Sequence, residues 1–172
     1  CRMFYGNGTA KLVKDSIWRD SGNGVVPDLG SHLLDTCEYW FENLINHNNW
    51  KISSKNNFEN LSPDHAVIIN TNNHFLIQLE MTMLMWKNHF TCDILGEYGS
   101  AHIESLCKWG PTKFIVRHRK LPSGKPNEEI NTLISPDPTW GKEYNFFKDL
   151  IKHKKKININ WQRTLNNILN TL

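Results

Sequence analysis

A chain of 172 residues with 39% hydrophobic and 22% charged side chains has the size and composition of one globular domain with a real core. The net charge of +3 gathers in the run Lys152, His153, Lys154, Lys155, Lys156, a solvated helix end that points away from nucleic acid in the absence of a recognition motif. No apolar run approaches the roughly 18 residues that span a bilayer. Cys1, Cys37, Cys92 and Cys107 lack the CxxC spacing of a zinc site or redox pair. No membrane partner, no metal and a cytoplasmic location with reduced thiols are therefore expected.

Met3-Phe4-Tyr5 reads as a short strand that begins abruptly at Cys1, as if the chain were the remainder of a longer one. Gly6 to Ala10 starts like a dinucleotide fingerprint but lacks its third glycine, and Lys11 and Lys14 replace an amphipathic pattern, which predicts a loop. Trp18-Arg19-Asp20 then leads into Gly22-Asn23-Gly24, a tight turn before Val25-Val26.

The organising helix starts at Pro27-Asp28, with Asp28 as N-cap or first-turn acid, and ends near Asn46 to Asn49. On a wheel of about 100° per residue, Leu29, Leu33, Cys37, Trp40, Phe41 and Leu44 share one side, and Asp28, His32, Asp35 and Tyr39 the other. Asp28 and His32 stand at i and i+4, within reach of one ligand. The positive helix end favours an ionised Asp28 and a neutral, basic His32. This stretch alone is equally compatible with a capping acid followed by a surface histidine.

Beyond the helix the period changes from 3.6 to 2. Ala66 to Ile69 is a short strand, Thr71-Asn72-Asn73 a turn, and Phe75 to Trp86 a long strand with Phe75, Ile77, Leu79, Met81, Met83 and Met85 on its buried face. Strands are predicted in Phe90 to Leu95, Ser100 to Leu106 and Lys113 to Arg119. Short turns at Glu97-Tyr98-Gly99 and Lys108 to Pro111 join them into an antiparallel meander. Leu121 to Pro126 opens a loop, and helices follow from Pro138-Thr139-Trp140 to about Lys152 and from about Trp161 to Leu169. The predicted class is α+β: a mostly antiparallel open sheet with helices packed on one face. The other face, with Gln78, Thr82 and Trp86, is the expected contact of a homo-oligomer.

Arg2 to Ala10, Trp18-Arg19-Asp20, Gly24 to Asp35, Trp86 to Phe90 and Gly96 to Glu104 together resemble, in order, the C-terminal domain of the glucose-fructose oxidoreductase and inositol dehydrogenase family, Gfo/Idh/MocA. Its most specific element here is Asp28-x-Gly30-x-His32 after a Trp-Arg pair and a glycine-rich turn. The resemblance implies that residues 1–172 form a substrate-binding and oligomerisation domain, and that an N-terminal Rossmann domain, absent from this chain, holds NAD or NADP. It also implies hydride transfer at a hydroxyl of a sugar, nucleotide-sugar or other polyol. His32 would exchange the hydroxyl proton while Asp28 orients substrate and imidazole. Trp18 and Arg19 would line the substrate pocket, with Lys87 and Asn88 as further substrate contacts. The family's catalytic lysine segment has no counterpart here, so the chain alone is expected to be inactive. A non-enzymatic carbohydrate-binding or dimerisation module is the other reading.

Overall fold

The computed structural model describes residues 1–41, 44–155 and 159–172. Eight strands form one sheet: β1 (Arg2–Gly6), β2 (Trp50–Asn56), β3 (His65–Thr71), β4 (Leu76–Thr82), β5 (His89–Gly96), β6 (Gly99–Glu104), β7 (Thr112–His118) and β8 (Asn127–Leu133), in the spatial order β2-β3-β4-β1-β5-β6-β7-β8. Every neighbouring pair is antiparallel except β1 and β4. The chain returns through β2 and β3 before laying β4 beside its first strand, and β5 then closes on β1 from the other side. The architecture is the expected α+β class.

Strand alternation sets the core. In β4, Ile77, Leu79 and Met81 are fully buried, and the register puts Leu79 and Met81 opposite Met3 and Tyr5 of β1. Against this face lies a helical segment in two parts, a π-type turn over Val26–Gly30 that runs directly into α2 (Ser31–Phe41). Leu29, Leu33, Leu34 and Cys37 point into the core, and α4 (Asn160–Thr171) adds Leu165 and Ile168. Each such side chain contributes about 1.5–3 kcal/mol of burial. Burial also pushes the Cys37 and Cys92 thiols up to about 12 and about 11, so both sit in the core as small hydrophobes.

Several expectations are corrected. The helix begins at Val26 with Val25 as its cap residue and no side-chain cap, so Asp28 is a first-turn acid. It ends at Phe41 among the described residues, and a 3-10 turn occupies His47–Asn49; residues 42 and 43, expected as helix, and Lys156 of the basic run lie outside the described residues. Leu44 is exposed and Trp40 only half-covered. The segment after Gly8 contains a short helix, α1 (Ala10–Lys14), anchored by Ala10 and Val13. The strand predicted from Phe75 to Trp86 stops at Thr82, so Met85 and Trp86 lie in the connection to β5. β8 occupies the region read as loop. Helix α3 (Thr139–Lys152) buries no residue, leaving Trp140, Tyr144, Phe147 and Ile151 exposed; only α2 and α4 pack as expected.

The open face is more charged than its apolar-and-neutral reading implied, with the cross-strand pairs Arg2–Asp93, Lys113–Glu104 and Arg117–Glu128. Thr82 is buried within its own fold, its hydroxyl donating to the Asp64 carbonyl, so it is withdrawn from any contact on that face. No helix among the described residues is long and apolar enough to cross a membrane.

Candidate functional site

The start of the organising helix is fixed by a turn clamped to a distant loop. Gly24 has φ +50°, and a Cβ there would collide with the Pro63 carbonyl, so the position requires glycine on two counts. The next residue, Val25, donates its N–H to that same carbonyl at 2.8 Å. Pro63 is held in turn by two carboxylates. Fully buried Asp64 accepts the backbone N–H groups of Phe58, Glu59 and Asn60, and Asp20 accepts those of Leu61 and Ser62 together with the Ser62 hydroxyl. Hydrogen bonds from Ser62 and Leu61 hold the Asp20 carboxyl below the usual carboxylate range. The glycine turn and the loop over residues 57–64 thus form one rigid mount for Asp28.

Asp28 is exposed on this mount and lines a cleft of about 460 Å³ together with Trp18, Arg19, Ser21, Gly24 and Met83. Three of the six residues expected at the site therefore share one hollow. Arg19 forms no ion pair with Asp20 or Asp28 among the described residues; its guanidinium lies 5.9 Å from the centre of the Trp18 ring.

His32 lines a second cleft, of about 320 Å³, with Tyr5, Asp35, Trp40, Phe90 and Lys108 among its walls. Its ring is 5.9 Å from that of Tyr5, which also meets Trp109 at 5.5 Å. Lys108 Nζ sits 4.6 Å over the Trp109 ring. Asp35 Oδ1 accepts the Trp161 indole N–H at 2.8 Å. Asp28 and His32 line two hollows that share no lining residue. All four residues assigned to the outer face, Asp28, His32, Asp35 and Tyr39, are exposed. Chemically, the outer face offers a carboxylate, an imidazole and a guanidinium beside aromatic walls, the groups that hydrogen-bond and orient hydroxyls.

Lys87 and Asn88 lie exposed in the connection from β4 to β5 and line neither cleft. Tyr5, Phe90, Trp109 and Lys108 were missed by sequence reasoning. Tyr5 and Phe90 carried a signal, their places in the Arg2 to Ala10 and Trp86 to Phe90 motifs.

A second polar constellation lies on the open sheet face. Ser100 Oγ and His102 Nε2 are 2.7 Å apart, His102 Nδ1 and Asp93 Oδ1 2.7 Å, and Arg2 donates to Asp93 Oδ2 at 2.8 Å. Arg2, then His102, holds the Asp93 carboxyl below its usual range. The order Ser-His-Asp is that of a nucleophile relay. Here, however, Ser100 sits inside β6, which pairs on both sides, so its neighbouring backbone N–H groups belong to the ladder and provide no oxyanion hole. The constellation is a polar stitch across β1, β5 and β6.

The family model described as GFO/IDH/MocA C-terminal domain matches residues 1–102, more than half of the chain. Among solved structures, yvaA of Bacillus subtilis, whose assignment as an oxidoreductase is itself provisional, matches with a TM-score of 0.61 at 11% identity. The match covers 98% of this chain and 52% of that protein, so this chain spans about half its length. The likeness is one of fold. A search of curated proteins finds no match.

Proposed function

Because the chain belongs to the Gfo/Idh/MocA C-terminal domain family, a family of oxidoreductases, we propose that it forms the substrate half of an NAD(P)-dependent dehydrogenase acting on a hydroxyl of a sugar, nucleotide-sugar or other polyol. The observation that carries this reading is that the outer face of one helical segment opens onto two hollows, one lined by Asp28, Trp18 and Arg19 and the other by His32. His32 takes the proton from the reacting hydroxyl in oxidation and returns it in reduction. Asp28 accepts hydrogen bonds from substrate hydroxyls, and Arg19 donates to an oxygen at the rim. Tyr5, Phe90 and Trp109 offer apolar surface to a carbon skeleton.

The residues present do not fit a nicotinamide nucleotide. The glycine turn that leads into a helix is clamped on Pro63, and the N–H groups of Val25 and Val26 are engaged by Pro63 and Asn23, so no free cradle of donors faces a pyrophosphate. In this proposal NAD or NADP belongs to an N-terminal Rossmann domain, and the chain alone is inactive. Calorimetric titration of the chain with NAD and NADP should give no binding in the micromolar range; such binding would place the nucleotide site here instead. A full-length protein that turns over no polyol with either nucleotide would favour the alternative, a carbohydrate-binding or dimerisation module.

The open sheet face supports a homo-oligomer contact in the same proposal. Gln78, Leu76 and Leu95 stand on it, while Trp86, in the connection from β4 to β5, is fully exposed.

A further inference from the structure

Beyond the C-terminal end of α2, away from Asp28 and His32, a cleft of about 700 Å³ opens between the His47–Asn49 turn, the start of β2 and α4. The size is that of small-molecule sites. Its polar lining is mostly amides and hydroxyls, those of Asn46, Asn48 and Asn167 and of Thr164 and Thr171, over a floor that includes Trp50 and Ile168. His47, the one ionisable lining residue, has its Nε2 2.8 Å from Glu38 Oε2.

Trp50 forms the aromatic part of the lining. It is 8% exposed, and its indole N–H is buried with no hydrogen-bond partner among the described residues. With under 1 Å² of that nitrogen accessible, a molecule in the cleft meets the indole carbon ring rather than its N–H. The surrounding capacity is only partly used: Asn46 Oδ1 accepts the Asn48 backbone N–H and Thr171 donates to the Ile168 carbonyl. The side-chain amides of Asn48 and Asn167 have no partner among the described residues.

An arrangement dominated by amide and hydroxyl donors and acceptors, with an aromatic ring and no Lys or Arg, disfavours phosphate and carboxylate ligands and matches a molecule bearing several neutral hydroxyls. We propose that this cleft is a second ligand site, for a small uncharged polyhydroxylated molecule, separate from the Asp28 and His32 hollows and independent of the dehydrogenase reading.

The test is a titration of the ¹⁵N-labelled protein with glucose, myo-inositol and sorbitol, followed at the Trp50 indole N–H resonance, which Trp50→Phe assigns by its disappearance. The expected result is a saturable shift with at least one of the three and none with inorganic phosphate. Asn167→Leu and Thr164→Val, at an exposed and a half-buried position of α4, should each weaken it about tenfold, equivalent to about 1.4 kcal/mol, while His32→Asn leaves it unchanged. No saturable shift with any of the three would overturn the proposal. So would a shift unaltered in both α4 variants, or one abolished by His32→Asn.

Discussion

Gly30 lies so close to Met81 that a Cβ built on it would stand 2.8 Å from Sδ. Met81 is fully buried in β4, so this contact sets how near the helical segment approaches the sheet and how far Asp28 and His32 project from it. Gly30→Ala gains about 1 kcal/mol of helix propensity but must push a flexible thioether aside, and the two terms nearly cancel. Gly30→Val has no such escape and should destabilise by about 1–3 kcal/mol through overpacking. Chemical denaturation of Gly30→Val alone and combined with Met81→Ala checks this: the Val penalty should shrink on the truncated background.

Asp20 clamps the loop under the glycine turn, and its carboxyl is held below the usual range by the N–H groups of Ser62 and Leu61. A depressed folded value means that its contribution is fully present above the unfolded value of about 4 and is lost as pH falls through the lower folded value. Asp20→Asn should therefore be less stable at neutral pH and converge with the wild type in acid. The difference in proton uptake on unfolding should be at most about one proton. Urea midpoints measured from neutral pH down to the acid limit of folding test it; parallel curves would remove Asp20 from the clamp.

The open sheet face carries exposed Leu76 and Leu95 among cross-strand ion pairs. If it pairs with a second copy, Leu95→Lys should shift the protein toward monomer in sedimentation velocity. Its unfolding midpoint at low concentration should barely move, because Leu95 is 75% exposed in the single chain. A wild type already monomeric at high micromolar concentration would contradict the contact.

The family resemblance, the α+β class and the core of the central strands were legible because Ile77, Leu79 and Met81 alternate and Leu29, Leu33 and Cys37 recur at helical spacing. What stayed hidden has physical reasons. β8 is exposed along its whole length and carries no alternating apolar signal, and β2 at the sheet edge has only Trp50 and Ile52 to mark its inner face. The insertion of β1 between β4 and β5 depends on pairings between residues more than seventy positions apart, such as Met3 with Leu79. The π-type turn over Val26–Gly30 leaves no mark in the residue pattern. The walls of the His32 cleft come from Tyr5, Phe90 and Lys108, which no local spacing connects.

The central claim is that His32 moves the substrate proton, and the most direct measurement is a pH series of initial rates for the full-length enzyme and its His32→Asn and Asp28→Asn variants, with a polyol that turns over. His32→Asn should lower kcat by about 10² to 10⁴ with little change in KM, because a lost proton acceptor is felt mainly in the transition state. Asp28→Asn, which also weakens the hold on substrate, should affect both constants. In the oxidation direction kcat/KM of the wild type should fall in acid as the imidazole takes up a proton, and His32→Asn should lack that limb. A variant that keeps both the rate and the acid limb would make His32 a surface histidine and contradict the site.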